Sequence, residues 1–212
     1  KVTAVREFLD LFDEPQLEGL RPSRAEQFSF IVPESQAVKA LQRVQAGGVA
    51  NIAALYENRG VGQRIATIDQ DATIIESHKS SAFAHYQGGK GYQPMLAMWA
   101  EADLIVADQF RDGNVPAGQD PLSCCRMAFE ALPASVKERY FRGDSACYEQ
   151  QLLEWLSDRE REREEGGKIG FAISADMSAE LAKAAAGVAE NEWKTFAVEA
   201  DGTRRQWADL DF

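Results

Sequence analysis

The stretch "RIATIDQDATIIESHKS", residues 64–80, decides how the chain is read. Apolar and polar residues alternate through it, as a half-buried strand requires, yet Asp69 and Asp71 occupy positions that strands disfavour for aspartate. Alternation puts Thr67, Asp69, Asp71 and Thr73 on one face and Ile68, Ala72 and Ile74 on the other. The two carboxylates then stand ~6–7 Å apart and point the same way. By itself the pattern has two readings: polar decoration of the solvent face of an edge strand, or a platform on which one carboxylate ligates a cation and the other assists.

The sequence before residue 61 has a helical period. "VREFLDLF" (5–12) is amphipathic, and "PESQAVKALQRV" (33–44) opens with Ser35 as an N-cap before Val38, Leu41 and Val44 at helical spacing. Gly47-Gly48 predicts an interruption before "VANIAALYENRG" (49–60) resumes, and residues 1–60 read as an accessory helical region. After residue 64 the period is two. "GYQPMLAMWAEADLIVADQFRDGN" (91–114) holds two apolar runs around "AEAD", a hairpin that makes three strands in succession.

"DPLSCCRMAFEAL" (120–132) predicts a helix stopped near Pro133, and "VKERYFRGD" (136–144) a fourth strand. "SACYEQQLLEWLSDRERE" (145–162) predicts a second helix with Tyr148, Leu152, Trp155 and Leu156 on one face, and "DREREREE" (158–165) its solvated end. "KIGFAISAD" (168–176) is a fifth strand and "SAELAKAAAGV" (178–188) a third helix. The closing "EWKTFAVEADGTRRQWADLDF" (192–212) predicts a hairpin turned at Asp201-Gly202, a pair that favours type I′. The order from residue 64 is βββαβαβα with a hairpin after it. That order matches an α/β fold of RNase H-like type: a three-strand antiparallel meander followed by alternating helices and strands. In such a sheet the first and fourth strands are neighbours, which brings Asp71 and Asp144 together. Asp144 sits where the fourth strand gives way to a helix, so helix N-cap and site residue are both open to it.

Composition narrows the class. Hydrophobic residues make up 45% of the 212 and charged residues 27%, enough for one packed core and against wholesale disorder. No apolar run approaches the ~20 residues of a membrane span and the N-terminus lacks a signal peptide's apolar segment, so the reading is a soluble, unsecreted protein. Cys124, Cys125 and Cys147 have no metal-type spacing and are expected to be reduced and buried. The net charge of −11 runs against the basic face that grips phosphate backbones. Lys79, Lys90, Arg111 and Arg142 are the basic candidates near the motif segments. His78 and His85 are read as exposed loop residues, and Trp99 and Phe110 as core.

Taken in order, "TIDQDATIIESHK", "GGKGYQPMLAMWAEADLIVADQFRDGNVPAG", "YFRGDSACY" and "IGFAISADMS" resemble the catalytic core of bacterial insertion-sequence transposases of the DDE type. The resemblance spans residues ~60–190. It implies a catalytic core over 61–190, after the accessory 1–60, with 191–212 as a hairpin that could open an inserted β-rich segment. The family's D-x-T segment falls on Asp71 of "DAT" and its R-x-D-S segment on Asp144, which makes these two the implied catalytic residues. Asp71, Asp144 and the neighbouring Asp69 are the implied ligands of Mg²⁺ or Mn²⁺ in a two-metal site. Lys79, Lys90, Arg111 and Arg142 are the DNA-contact candidates.

The resemblance further implies metal-dependent DNA cleavage and strand transfer, element ends and target DNA as partners, a homodimer in the active complex, and a bacterial cytoplasmic, nucleoid-associated location. An RNase H-like nuclease and a non-catalytic remnant that binds DNA or protein are the alternatives. The family's third acid, a Glu in a Y-x-x-R-x-x-x-E pattern, has no counterpart: Glu180, Glu190, Glu192 and Glu199 lack that context, and the Glu is expected beyond Phe212.

Overall fold

Ala66, Ile68 and Gln70 are buried along the first long strand while Thr67, Asp69 and Asp71 lie on its other face, so the alternation written in residues 64–72 is the alternation the fold uses. The computed structural model describes residues 2–12, 14–23, 28–163 and 167–210. Three helices come first: α1 (Val2–Asp10), α2 (Pro15–Glu18) and α3 (Gln36–Asn58). Then follow β1 (Ile65–Ala72), β2 (Ile75–Glu76), β3 (Phe83–Ala84), β4 (Lys90–Tyr92), β5 (Met95–Trp99) and β6 (Leu104–Gln109). Helix α4 (Pro121–Glu130), β7 (Glu138–Gly143), α5 (Gln150–Leu156) and β8 (Ile169–Ile173) complete the main layer. Helix α6 (Ala179–Ala186) and the strands β9 (Lys194–Val198) and β10 (Arg204–Trp207) close the chain.

The result is an α/β fold on a mixed five-stranded sheet of order β6-β5-β1-β7-β8. β5 runs antiparallel to β1 and to β6, whereas β7 runs parallel to β1 and β8 parallel to β7. β1 is thus a central strand and not an edge. Helix α4 packs on β1, β5 and β6, α5 on β8, and α3 on β6. Trp99, Phe141, Ile68, Met95, Leu152 and Leu156 are fully buried in this layer, as are all three cysteines. Burial pushes the Cys124 thiol up to about 12, so it stays protonated and inert at neutral pH.

Several expectations change. Helix α3 runs straight through Gly47-Gly48, and Ser35 caps it by accepting from the Val38 amide at 3.2 Å. Two glycines cost about 2 kcal/mol of helix propensity, which burial of Val49 and Ala53 against the sheet offsets. The buried stripe is accordingly not the one read from Leu41 and Val44, which are exposed. Residues 75–92 form a small separate sheet, β2-β4-β3, between the first two main strands. These strands have two or three residues, too short for periodicity to register.

Helix α5 spans only Gln150–Leu156, so Tyr148 precedes it and the "DRERE" run follows it; Tyr148 is exposed, Arg161–Arg163 form a 3₁₀ turn, and 164–166 lie outside the described residues. Phe110 is half exposed and packs on Tyr92 rather than entering the core. His85 is buried, against the exposed loop position read for it.

The chain forms two compact units, residues 1–174 and 175–212. The second contains α6, capped by Ser178 onto the Leu181 amide, and the β9–β10 hairpin. Its turn is not type I′. Gly202 carries the positive φ of 85° and its amide donates to the Glu199 carbonyl, which leaves a three-residue loop with glycine in the left-handed position. Among the described residues no helix is long and apolar enough to cross a membrane.

Candidate functional site

The parallel pairing of β1 with β7 sets Gln70 opposite Gly143, so the next residue of each strand is an aspartate: Asp71 on one and Asp144 on the other. Both stand at the carboxyl ends of neighbouring parallel strands, where open α/β sheets build their sites. Asp71 and Asp144 line one groove of about 610 Å³, walled by Tyr86, Gln93, Asn114 and the 115–117 segment. The two carboxylates also act together on Cys147: burial raises its thiol to about 11, and the charges of Asp144 and Asp71 push in the same direction.

The outward face of β1 carries three polar side chains with three different situations. Thr67 donates its hydroxyl to Glu101 at 2.6 Å, and the Thr67 amide donates to the same carboxylate at 2.8 Å. Asp69 is held in a bidentate pair by Arg142, both contacts at 2.6 Å. Asp71 is exposed, and its Oδ1 accepts from the following amide, of Ala72, at 2.8 Å. Asp144 Oδ1 accepts from the Ala146 amide at 3.0 Å, capping the 3₁₀ turn Ser145–Cys147. The cap and the groove position are therefore both real for Asp144.

Two of the remaining candidate residues are engaged by other groups of the protein. Asp69 shares the face of Asp71 but not its freedom, because a fork-to-fork pair with Arg142 occupies both carboxylate oxygens. The same pair holds Arg142, whose guanidinium is shifted up by the hydrogen bonds and charge of Asp69. Arg111 is not a surface residue at all: it is 1% exposed. Its five N–H groups go to Gln109 Oε1 and to the carbonyls of Ala117, Gln119 and Asp120, and burial lowers its pKa. It braces the loop that forms one wall of the groove. Lys79 and Lys90 are exposed, as a phosphate-contacting residue must be.

Two residues outside the candidate set, Gln70 and Gly143, support the pair from beneath. Gln70 is buried between the aspartates, and its Nε2 donates to the Pro121 carbonyl at 2.9 Å. A polar residue at a buried parity was the available signal. Gly143 permits the close approach of Cys147: a Cβ there would lie 2.6 Å from the Cys147 Cβ and 2.7 Å from its sulfur. Gly143→Ala is expected to lower stability by about 1–3 kcal/mol through overpacking, measurable as a fall in the urea midpoint at constant m-value. A midpoint unchanged from wild type would show that the strand end is loosely packed.

Among the described residues no group of three or more His, Cys, Asp or Glu side chains is gathered as a metal cluster. Glu180, Glu190, Glu192 and Glu199 all belong to the unit 175–212, where Glu192 accepts from the Ala189 amide and Glu199 pairs with Arg205. Within the unit 1–174 the carboxylates that line the groove are Asp71 and Asp144, hard oxygen ligands of the number through which Mg²⁺ is commonly held with water completing its shell. No protein-family model matches the chain, and no curated protein matches it significantly.

Proposed function

We propose that the groove is the metal site of a DDE-type transposase catalytic domain, acting in metal-dependent DNA cleavage and strand transfer. The observation that carries the reading is the pair Asp71 and Asp144 at the carboxyl ends of adjacent parallel strands, opening into one groove. The strand order, with β1 flanked by an antiparallel β5 and a parallel β7, supports the RNase H-like reading of the sheet. Asp71 and Asp144 would hold a divalent ion, which when bound supplies charge to stabilise the attacking or leaving oxygen of a phosphodiester. Around them, Asp69 fixes Arg142, Arg111 holds the 117–120 wall in place, and Lys79 and Lys90 present positive charge to backbone phosphates. DNA, and a second copy of the chain in the active complex, are the partners this reading requires.

Within the unit 1–174 two acids line the groove, fewer than the three of the resembled family, which keeps the non-catalytic alternative open. The purified chain is therefore expected to bind Mn²⁺ while leaving plasmid and oligonucleotide DNA uncut in Mg²⁺ or Mn²⁺. Metal-dependent nicking by this chain, abolished by Asp144→Asn, would show that a third acid is supplied from elsewhere in it.

A further inference from the structure

Although the chain carries a net charge of −11, three arginines converge at the end of the sheet away from the aspartates. Arg126 comes from α4, Arg139 from the start of β7, and Arg161 from the turn beyond α5. With Trp155, Phe129 and Glu130 they line a cavity of about 610 Å³. Arg139 lies five residues before Asp144 along β7, about 16 Å at strand rise, so this is a separate place on the molecule.

Two of the three guanidinium groups are held against Trp155. Those of Arg161 and Arg126 stand 4.4 and 5.8 Å from the Trp155 ring centre. Arg161 also donates to the Trp155 and Leu156 carbonyls at 2.6 and 3.0 Å. Yet the Nε atoms of Arg139 and Arg161 are buried without a hydrogen-bond partner. Among the described residues, neither Arg126 nor Arg139 has an ion pair. Like charges brought together with unmet donors are costly unless an anion joins them. Burial is the largest cause of the lowered Arg161 pKa and the Arg139 charge adds to it, while the charges of Asp158 and Glu162 act in the opposite direction.

We propose that this cavity binds a phosphate group. Of the charged groups that line the cavity three are guanidinium and one, Glu130, is a carboxylate, an excess of positive charge that suits a phosphate, with Asp158 and Glu162 acting on Arg161 from outside the lining. The planar forks of arginine suit its tetrahedral oxygens, and the unpartnered N–H groups would gain acceptors. The proposal does not depend on the metal reading of the groove.

Calorimetric titration of the full chain with inorganic phosphate tests it, in EDTA and at ionic strength fixed with NaCl. Saturable one-to-one binding is expected, with acetate giving none. Arg139→Gln should weaken it about tenfold, as loss of a charge-assisted hydrogen bond does. Arg126→Gln combined with Arg139→Gln should remove it. Arg139→Lys, which keeps the charge and loses the fork, should fall between and guards against a folding artefact. Mn²⁺ affinity at Asp71 and Asp144 should be unchanged in all of these. A nucleoside 5′-monophosphate binding more tightly than inorganic phosphate supports the site as one for a nucleotide phosphate; equal affinity supports the free anion. Absence of phosphate binding, equal response to acetate, or indifference to the arginine substitutions would each overturn the proposal.

Discussion

Asp71→Asn is expected to weaken Mn²⁺ binding about 100-fold or more, since it removes a directly ligating charge where loss of a mere supporting partner already costs 10–100-fold. The substitution preserves shape, and Asp71 is exposed, so the fold should be unaffected. Two carboxylates lining one groove offer a divalent ion two hard oxygen donors, with water filling most of its shell. Mn²⁺ should bind more tightly than Mg²⁺, being the more tolerant of irregular geometry. Asp69→Asn is the internal comparison. Its oxygens are engaged by Arg142, so its removal should change Mn²⁺ affinity by less than about threefold and stability by under ~1 kcal/mol, the range of an exposed pair. Titration of the wild-type and Asp71→Asn chains with indistinguishable affinity and stoichiometry would reduce Asp71 to surface decoration and remove the chemical basis of the transposase reading.

Arg111→Met should lower stability by about 3–5 kcal/mol. The methionine keeps the apolar stem but leaves Gln109 Oε1 and the carbonyls of Ala117, Gln119 and Asp120 without their donors. Each buried acceptor so orphaned costs about 1–3 kcal/mol, less where water can reach it. Arg111→Lys should recover only part of the loss, because an ammonium cannot reproduce five donors in a planar fork. Equilibrium urea unfolding measures both. A loss below ~1 kcal/mol for Arg111→Met would mean that the 117–120 wall stands without this brace, and that the groove does not depend on it.

Local sequence determined a large share of the architecture. The alternation over residues 64–72 gave β1, its buried face and the common direction of Asp69 and Asp71, because a strand's period of two needs no tertiary information. Cap chemistry marked Ser35 and turn residues the closing hairpin, and the order of strands and helices implied the neighbourhood of β1 and β7.

What only the tertiary structure decided is which polar groups meet. Arg142 and Asp69 lie 73 positions apart, and their pairing follows from parallel register, not from either segment. Arg111 looks like any loop arginine until the carbonyls of residues 117–120 are folded around it. Helix α3 crosses two glycines because burial against β6 outweighs a local propensity cost that the sequence states correctly. The three arginines around Trp155 come from a helix, a strand and a turn, so no periodicity within one segment could reveal them. Period and capping are short-range properties written residue by residue, whereas charge partnership depends on distances that exist only after the sheet has closed.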